Sequence, residues 1–183
     1  MLSATVQNPD GAIPSRSAMF TLFTRFCAVV SKCCLVLAVV GLIAVVLCVQ
    51  WQVIGRYVLN DTPTWAEALA MLLVLFVTAF GLAVGVRDAG HIGLELLGSV
   101  LPVRARHVVE FVVHVLVASF GYIMTTSGWL WMVAKWDEKK PMLPVPEGID
   151  YLPIVIAGVL IVLFSIEHII ALLRGEEVVP AWN

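Results

Sequence analysis

Residues 33–55, CCLVLAVVGLIAVVLCVQWQVIG, form a run of 23 residues without a charge, bounded by Lys32 and Arg56. As a helix the run is about 35 Å long, enough to cross the roughly 30 Å hydrocarbon layer of a bilayer. Lipid cannot satisfy free backbone N–H and C=O groups, so a helix is the natural spanning structure. The pattern recurs three times. Glu67 and Arg87 enclose 19 uncharged residues, Glu110 and Lys135 enclose 24, and Asp150 and Glu167 enclose 16. The last run continues through residues 169–173 to Arg174. It reaches spanning length only if Glu167 and His168 occupy its final turns, near the headgroups.

Composition agrees. The chain has 183 residues, 61% of them hydrophobic and 13% charged. Soluble domains run near 45–50% and about 25%. A net charge of −2 argues against a nucleic-acid partner, which needs a basic face. The expectation is an all-α integral membrane protein, a single domain over 1–183 with spans near 33–55, 67–86, 109–134 and 151–173.

The segments between the spans differ in character. Residues 1–18, with Pro9, Gly11, Pro14 and three serines, read as a flexible polar lead-in. The first span is too long for a signal-peptide core and no small-x-small site follows it, so it is read as retained. Residues 19–32 are amphipathic enough to lie along the interface before the first span turns in. Residues 90–101, GHIGLELLGSVL, place Ile92, Leu96, Leu97, Val100 and Leu101 opposite Glu95 and Ser99. They predict a short interfacial amphipathic helix between the second and third spans, stopped by Pro102. Residues 136–150, with three prolines and mixed charges, predict an irregular loop that either meets a partner or is simply solvated.

Four spans put both termini on one side. That side carries Arg16, Arg25, Lys32, Arg87, Arg104, Arg106 and Arg174, and the other Arg56, Lys135, Lys139 and Lys140. The excess places both termini in the cytoplasm. Trp51, Tyr57, Trp65, Trp129, Trp131, Trp136 and Tyr151 then form an outer aromatic belt.

Few residues carry chemistry. Cys27, Cys33, Cys34 and Cys48 form no C-x-x-C pair and read as apolar filler. His114 and His168 fall at similar depth on antiparallel spans. Two such histidines could hold a haem iron axially, whereas the plainer reading has each in a local polar contact. His91 and His107 lie in the inner connection. The spans place Glu67, Glu110 and Glu167 near their ends, so no buried carboxylate marks an ion path and no catalytic set stands at membrane depth. Gly81 and Gly85 have the G-x-x-x-G spacing that lets helix backbones approach closely. Arg56 and Glu67 flank the first outer turn and could pair across it.

Several stretches resemble the small membrane subunit, of the DctQ type, of tripartite ATP-independent periplasmic (TRAP) transporters. These are R-Y-V-L-N at 56–60, P-T-W-A-E at 63–67, R-D-A-G-H-I-G-L-E-L-L at 87–97 and Leu101-Pro102. Ser165-Ile166-Glu167-His168 fits an E-H common near that family's C-terminus. Two departures stand out: Ala68 replaces a usual second Glu, and Glu95 a usual Asp. The resemblance covers nearly the whole chain and implies a division of labour. A periplasmic binding protein delivers a small solute, often an organic acid. A large membrane subunit carries the substrate and sodium sites. The small subunit is a non-catalytic scaffold in the bacterial inner membrane, with membrane lipids around it and no cofactor of its own. On this reading Arg56, Trp65 and Glu67 fix the outer turn, and Arg87, His91 and Glu95 anchor the interfacial helix. Gly81 and Gly85 seat the second span on a neighbour, and Lys139 and Lys140 face the docking binding protein. The alternative from another class is the membrane anchor of a respiratory enzyme, with His114 and His168 ligating haem b.

Overall fold

A computed structural model describes residues 18–61, 63–88 and 103–174. The protein is an all-α membrane protein, and its described residues hold four helices long and apolar enough to cross a bilayer. These are α1 (Ala18–Tyr57), α2 (Thr64–Asp88), α3 (Val103–Ala134) and α4 (Leu152–Arg174), with a 3-10 turn at Glu147–Tyr151 leading into α4. The lead-in before residue 18 and the interfacial helix expected at 90–101 lie outside the described residues.

The helices alternate in direction, so Ala18, Asp88, Val103 and Arg174 gather at one end, here the terminal end. The loop end holds Tyr57, Thr64, Ala134 and Leu152. α1 packs on α2, α2 on α4 and α4 on α3, which makes a row with α2 and α4 inside. Within the most apolar stretch of each helix, 44% of α4 is buried but only 11% of α1 and of α3. A soluble bundle could not tolerate such bare edges. In a bilayer the lipid tails cover them at no hydrophobic cost.

Close contacts set the seams. On α1, a Cβ at Gly41 would come 2.7 Å from Val77 of α2. On α4, a Cβ at Gly158 would lie 2.6 Å from the Gly121 carbonyl and 2.5 Å from Thr125 Oγ1, both of α3. Gly128 approaches Val155 in the same way. The α3–α4 seam is therefore backbone against backbone, the arrangement small residues permit in membranes.

The two loop-end connections are compact. Asn60, with φ 53, closes α1 in the left-handed region that asparagine tolerates. Asp61 N donates to the Gly55 carbonyl at 3.1 Å, and Pro63 packs so near Gly55 that a Cβ there would meet its ring at 2.8 Å. After α3, Lys140 N donates to Val145 O and Glu147 N to Glu138 O, folding 136–150 back on itself. Lys140 Nζ reaches both Asp150 oxygens at 2.7 Å, and Trp131 stacks on Tyr151.

α1 differs from the expectation for its first turns. Residues 19–32 are no separate interfacial element but the start of one continuous 40-residue helix. Phe20 packs on Ala171 and Cys27 on Phe164, so apolar contact with α4 holds this segment in line with the span.

Candidate functional site

At the terminal end, side chains from all four helices converge on a buried polar cluster. Arg87, one residue before the end of α2, turns inward. Its Nε and Nη2 donate to Glu167 Oε2 and Oε1 of α4 at 3.0 and 3.1 Å. Its Nη1 donates to Asp88 Oδ1 at 3.0 Å. The Arg87 and Glu167 side chains are both 0% exposed. From α1, Ser31 Oγ donates to Asp88 Oδ2 at 3.1 Å. From α4, His168 Nε2 meets the Arg87 carbonyl oxygen at 2.9 Å, where the nitrogen must donate. His114 of α3 stacks face to face on His168, with centroids 4.6 Å apart and planes 5° from parallel. Phe164 closes one side beneath the guanidinium, 6.0 Å away.

The chemistry explains the convergence. A guanidinium at this depth is costly to desolvate unless its donors are matched. A two-pronged carboxylate matches the planar fork of arginine. Glu167 alone on α4 would be costlier still, with Ile166 before it and Ile169 two residues on. Each charge makes the other tolerable, so α2 and α4 are held in one register. Glu167 and His168 do fall in the last two turns of α4, and both are buried within the protein, 0% and 5% exposed. Internal pairing, not access to water, resolves their charge.

The remaining singled-out residues fall as follows. Glu67 accepts from Gln52 Nε2 at 3.5 Å, and Arg56 lies over the Tyr57 ring. Trp65 is half exposed beside buried Ala66. A Cβ at Gly81 or Gly85 would meet nothing within 4 Å, so that face of α2 is open in this chain. Lys139 is exposed, whereas Lys140 is held by Asp150. His91 and Glu95 lie outside the described residues. Glu110 pairs with Arg106 at 2.8 Å. Sequence reasoning missed the Arg87–Glu167 link and the small-residue seam of Gly121, Gly128 and Gly158. A signal for the first was available: both residues end apolar runs at the same depth on two helices that run in the same direction.

The haem alternative is not favoured by this geometry. Axial ligands aim ring nitrogens at the iron from opposite faces of the porphyrin. His114 and His168 instead lie ring against ring, with no space for a macrocycle between them. Among the described residues, no three His, Cys, Asp or Glu side chains gather as a metal-binding set. The cluster is a clamp between helices, and the fold is that of a helical membrane component.

The comparisons with known proteins name the class. Residues 45–175 match the family of tripartite ATP-independent periplasmic transporters, DctQ component. This is well over half of the chain, which belongs to that family. A sialic acid TRAP transporter small permease protein of Vibrio cholerae is 35% identical over 68 residues, 37% of this chain and 39% of that protein. A putative TRAP transporter small permease protein of Haemophilus influenzae is 22% identical over 129 residues, 68% of this chain and 80% of that protein. A C4-dicarboxylate TRAP transporter small permease protein of Vibrio cholerae is 25% identical over 106 residues, covering 55% and 45%. The chain thus spans under half the length of two of these relatives and most of the third. It is a small permease subunit of a TRAP transporter, a transport component and not an enzyme.

Proposed function

We propose that this chain is the static scaffold of a sodium-coupled importer of a small organic acid delivered by a periplasmic binding protein. The observation that carries the scaffold reading is the Arg87–Glu167 clamp. It spends the strongest charges of the membrane region on holding α2 to α4. A subunit that bound the solute or moved during transport would need such groups free to exchange partners. The acid substrate is supported by the names of two relatives, which concern sialic acid and C4-dicarboxylates.

On this reading the protein sits in the bacterial inner membrane with the terminal end in the cytoplasm, as its basic residues favour. The open Gly81 and Gly85 face of α2 meets the large membrane subunit. Arg56, Trp65 and Glu67 shape the periplasmic turn. Exposed Lys139 faces the binding protein, and Lys140 braces the loop through Asp150. Arg87 serves the clamp, and His91 and Glu95 anchor the inner connection. Sodium is handled by the large subunit.

Uptake of labelled solute into proteoliposomes tests this, with the large subunit and binding protein reconstituted with and without this chain. The expected result is loss of sodium-driven uptake in its absence. Full uptake without it would refute the reading.

A further inference from the structure

α1 is far longer than the membrane requires. Its 40 residues make about 60 Å of helix, against a hydrocarbon thickness of roughly 30 Å. Trp51 stands at the loop end, and the 19 residues back to Lys32 account for about 28 Å. Lys32 therefore lies at the inner edge of the hydrocarbon, next to Ser31, which is tied to Asp88. Residues 18–31 continue beyond it, and their two faces differ. Phe20, Cys27 and Ser31 are buried toward α2 and α4. On the opposite face Leu22, Phe26 and Val29 are 72%, 58% and 61% exposed. Arg25 and Lys32, seven residues apart, share one flank of that bare face, two turns from each other. Among the described residues neither makes an ion pair, while Arg87, Arg106, Lys135 and Lys140 all do.

A helix extending upright would hold Leu22, Phe26 and Val29 in water. A modest lean brings Val29 and Phe26 into the headgroup layer, with Lys32 at its hydrocarbon edge and Arg25, about 10 Å further along the axis, toward its outer edge. We propose that the inner end of α1 is a binding surface for anionic phospholipid. Arg25 and Lys32 flank the headgroup phosphate, and the acyl chains lie along Phe26, Val29 and Val36. Charge complementarity selects lipid as the occupant: a protein groove would match the apolar residues, but two unpaired cations at headgroup depth call for a phosphate.

The test uses the full chain in bilayer nanodiscs with spin-labelled phosphatidylglycerol or phosphatidylcholine, and reads the motionally restricted lipid. Wild type should prefer phosphatidylglycerol. R25Q/K32Q should lose that preference by about fivefold per cation removed, and R25K/K32R should keep it. Both positions are exposed and glutamine is a good helix former, so the variants should fold; unchanged circular dichroism checks this. Added inorganic phosphate should not compete, because the acyl chains supply part of the binding. Retained selectivity in R25Q/K32Q, none in wild type, or displacement by millimolar phosphate would each overturn the proposal.

Discussion

Replacing Arg87 by methionine probes the clamp most directly. It leaves Glu167 without the guanidinium that now meets both its oxygens at 3.0 and 3.1 Å. Both side chains are fully buried, so water cannot take over. Breaking a buried pair from one side costs about 3–5 kcal/mol, chiefly because the orphaned charge stays desolvated. The cost should lie in the upper part of that range here, because Asp88 also loses the Arg87 Nη1 donor. Glu167→Leu should cost less, about 2–3 kcal/mol, since Arg87 retains Asp88. The double variant leaves a single carboxylate beside Ser31 and should be no worse than Arg87→Met alone. The cycle then gives a coupling of about 2–3 kcal/mol. Unfolding by SDS titration in lipid–detergent micelles, followed by far-ultraviolet circular dichroism, measures all four proteins. A cost below about 1 kcal/mol for Arg87→Met, or costs that add within about 0.5 kcal/mol, would show that the pair does not hold the helices together.

Three further outcomes follow from other parts of the structure. Gly158→Val should destabilise the chain by at least about 1–3 kcal/mol in the same titration, because its Cβ would meet the Gly121 carbonyl at 2.6 Å; an unchanged midpoint would contradict the tight α3–α4 seam. Gly81→Leu meets nothing within 4 Å and should leave the isolated chain as stable as wild type, while reducing co-purification with the large subunit; loss of stability in the isolated chain would contradict the open face. The loop-end connection should resist proteolysis over a wide pH range. The hydrogen bond from Lys135 holds the Glu138 carboxyl below its ordinary 4.5, so that bond's contribution is present above this value and lost as the pH falls through the depressed one. The same bond raises Lys135 above its ordinary 10.5, so its contribution is lost only as the pH rises through that higher value. Cleavage after Lys135 or Lys139 that is already rapid near neutrality would argue against the folded loop.

The four crossings were legible because hydropathy is a local property. An uncharged run such as 33–55 has the same meaning wherever its neighbours lie. The clamp was not legible in that way. Arg87 and Glu167 are 80 residues apart, and each taken alone reads as a charge at a span's rim. Only their shared depth on helices that run in the same direction points to pairing, and depth becomes comparable once the helix order is known. Residues 19–32 show the same limit from the other side. Their amphipathic pattern is real, but Phe20 and Cys27 find α4, so the apolar side closest to the span packs on protein while Leu22, Phe26 and Val29 stay bare. The glycines carry the point furthest. Gly81 and Gly85 on α2 and Gly121 and Gly128 on α3 are alike as sequence: small residues at one- or two-turn spacing in an apolar helix. The structure separates them completely. The α3 pair is filled by α4 within this chain, and the α2 pair faces open space. A small-residue face in lipid gains nothing until another backbone closes on it. In a row of helices whose own seams are already closed, the open face of α2 is where our proposal seats the large subunit.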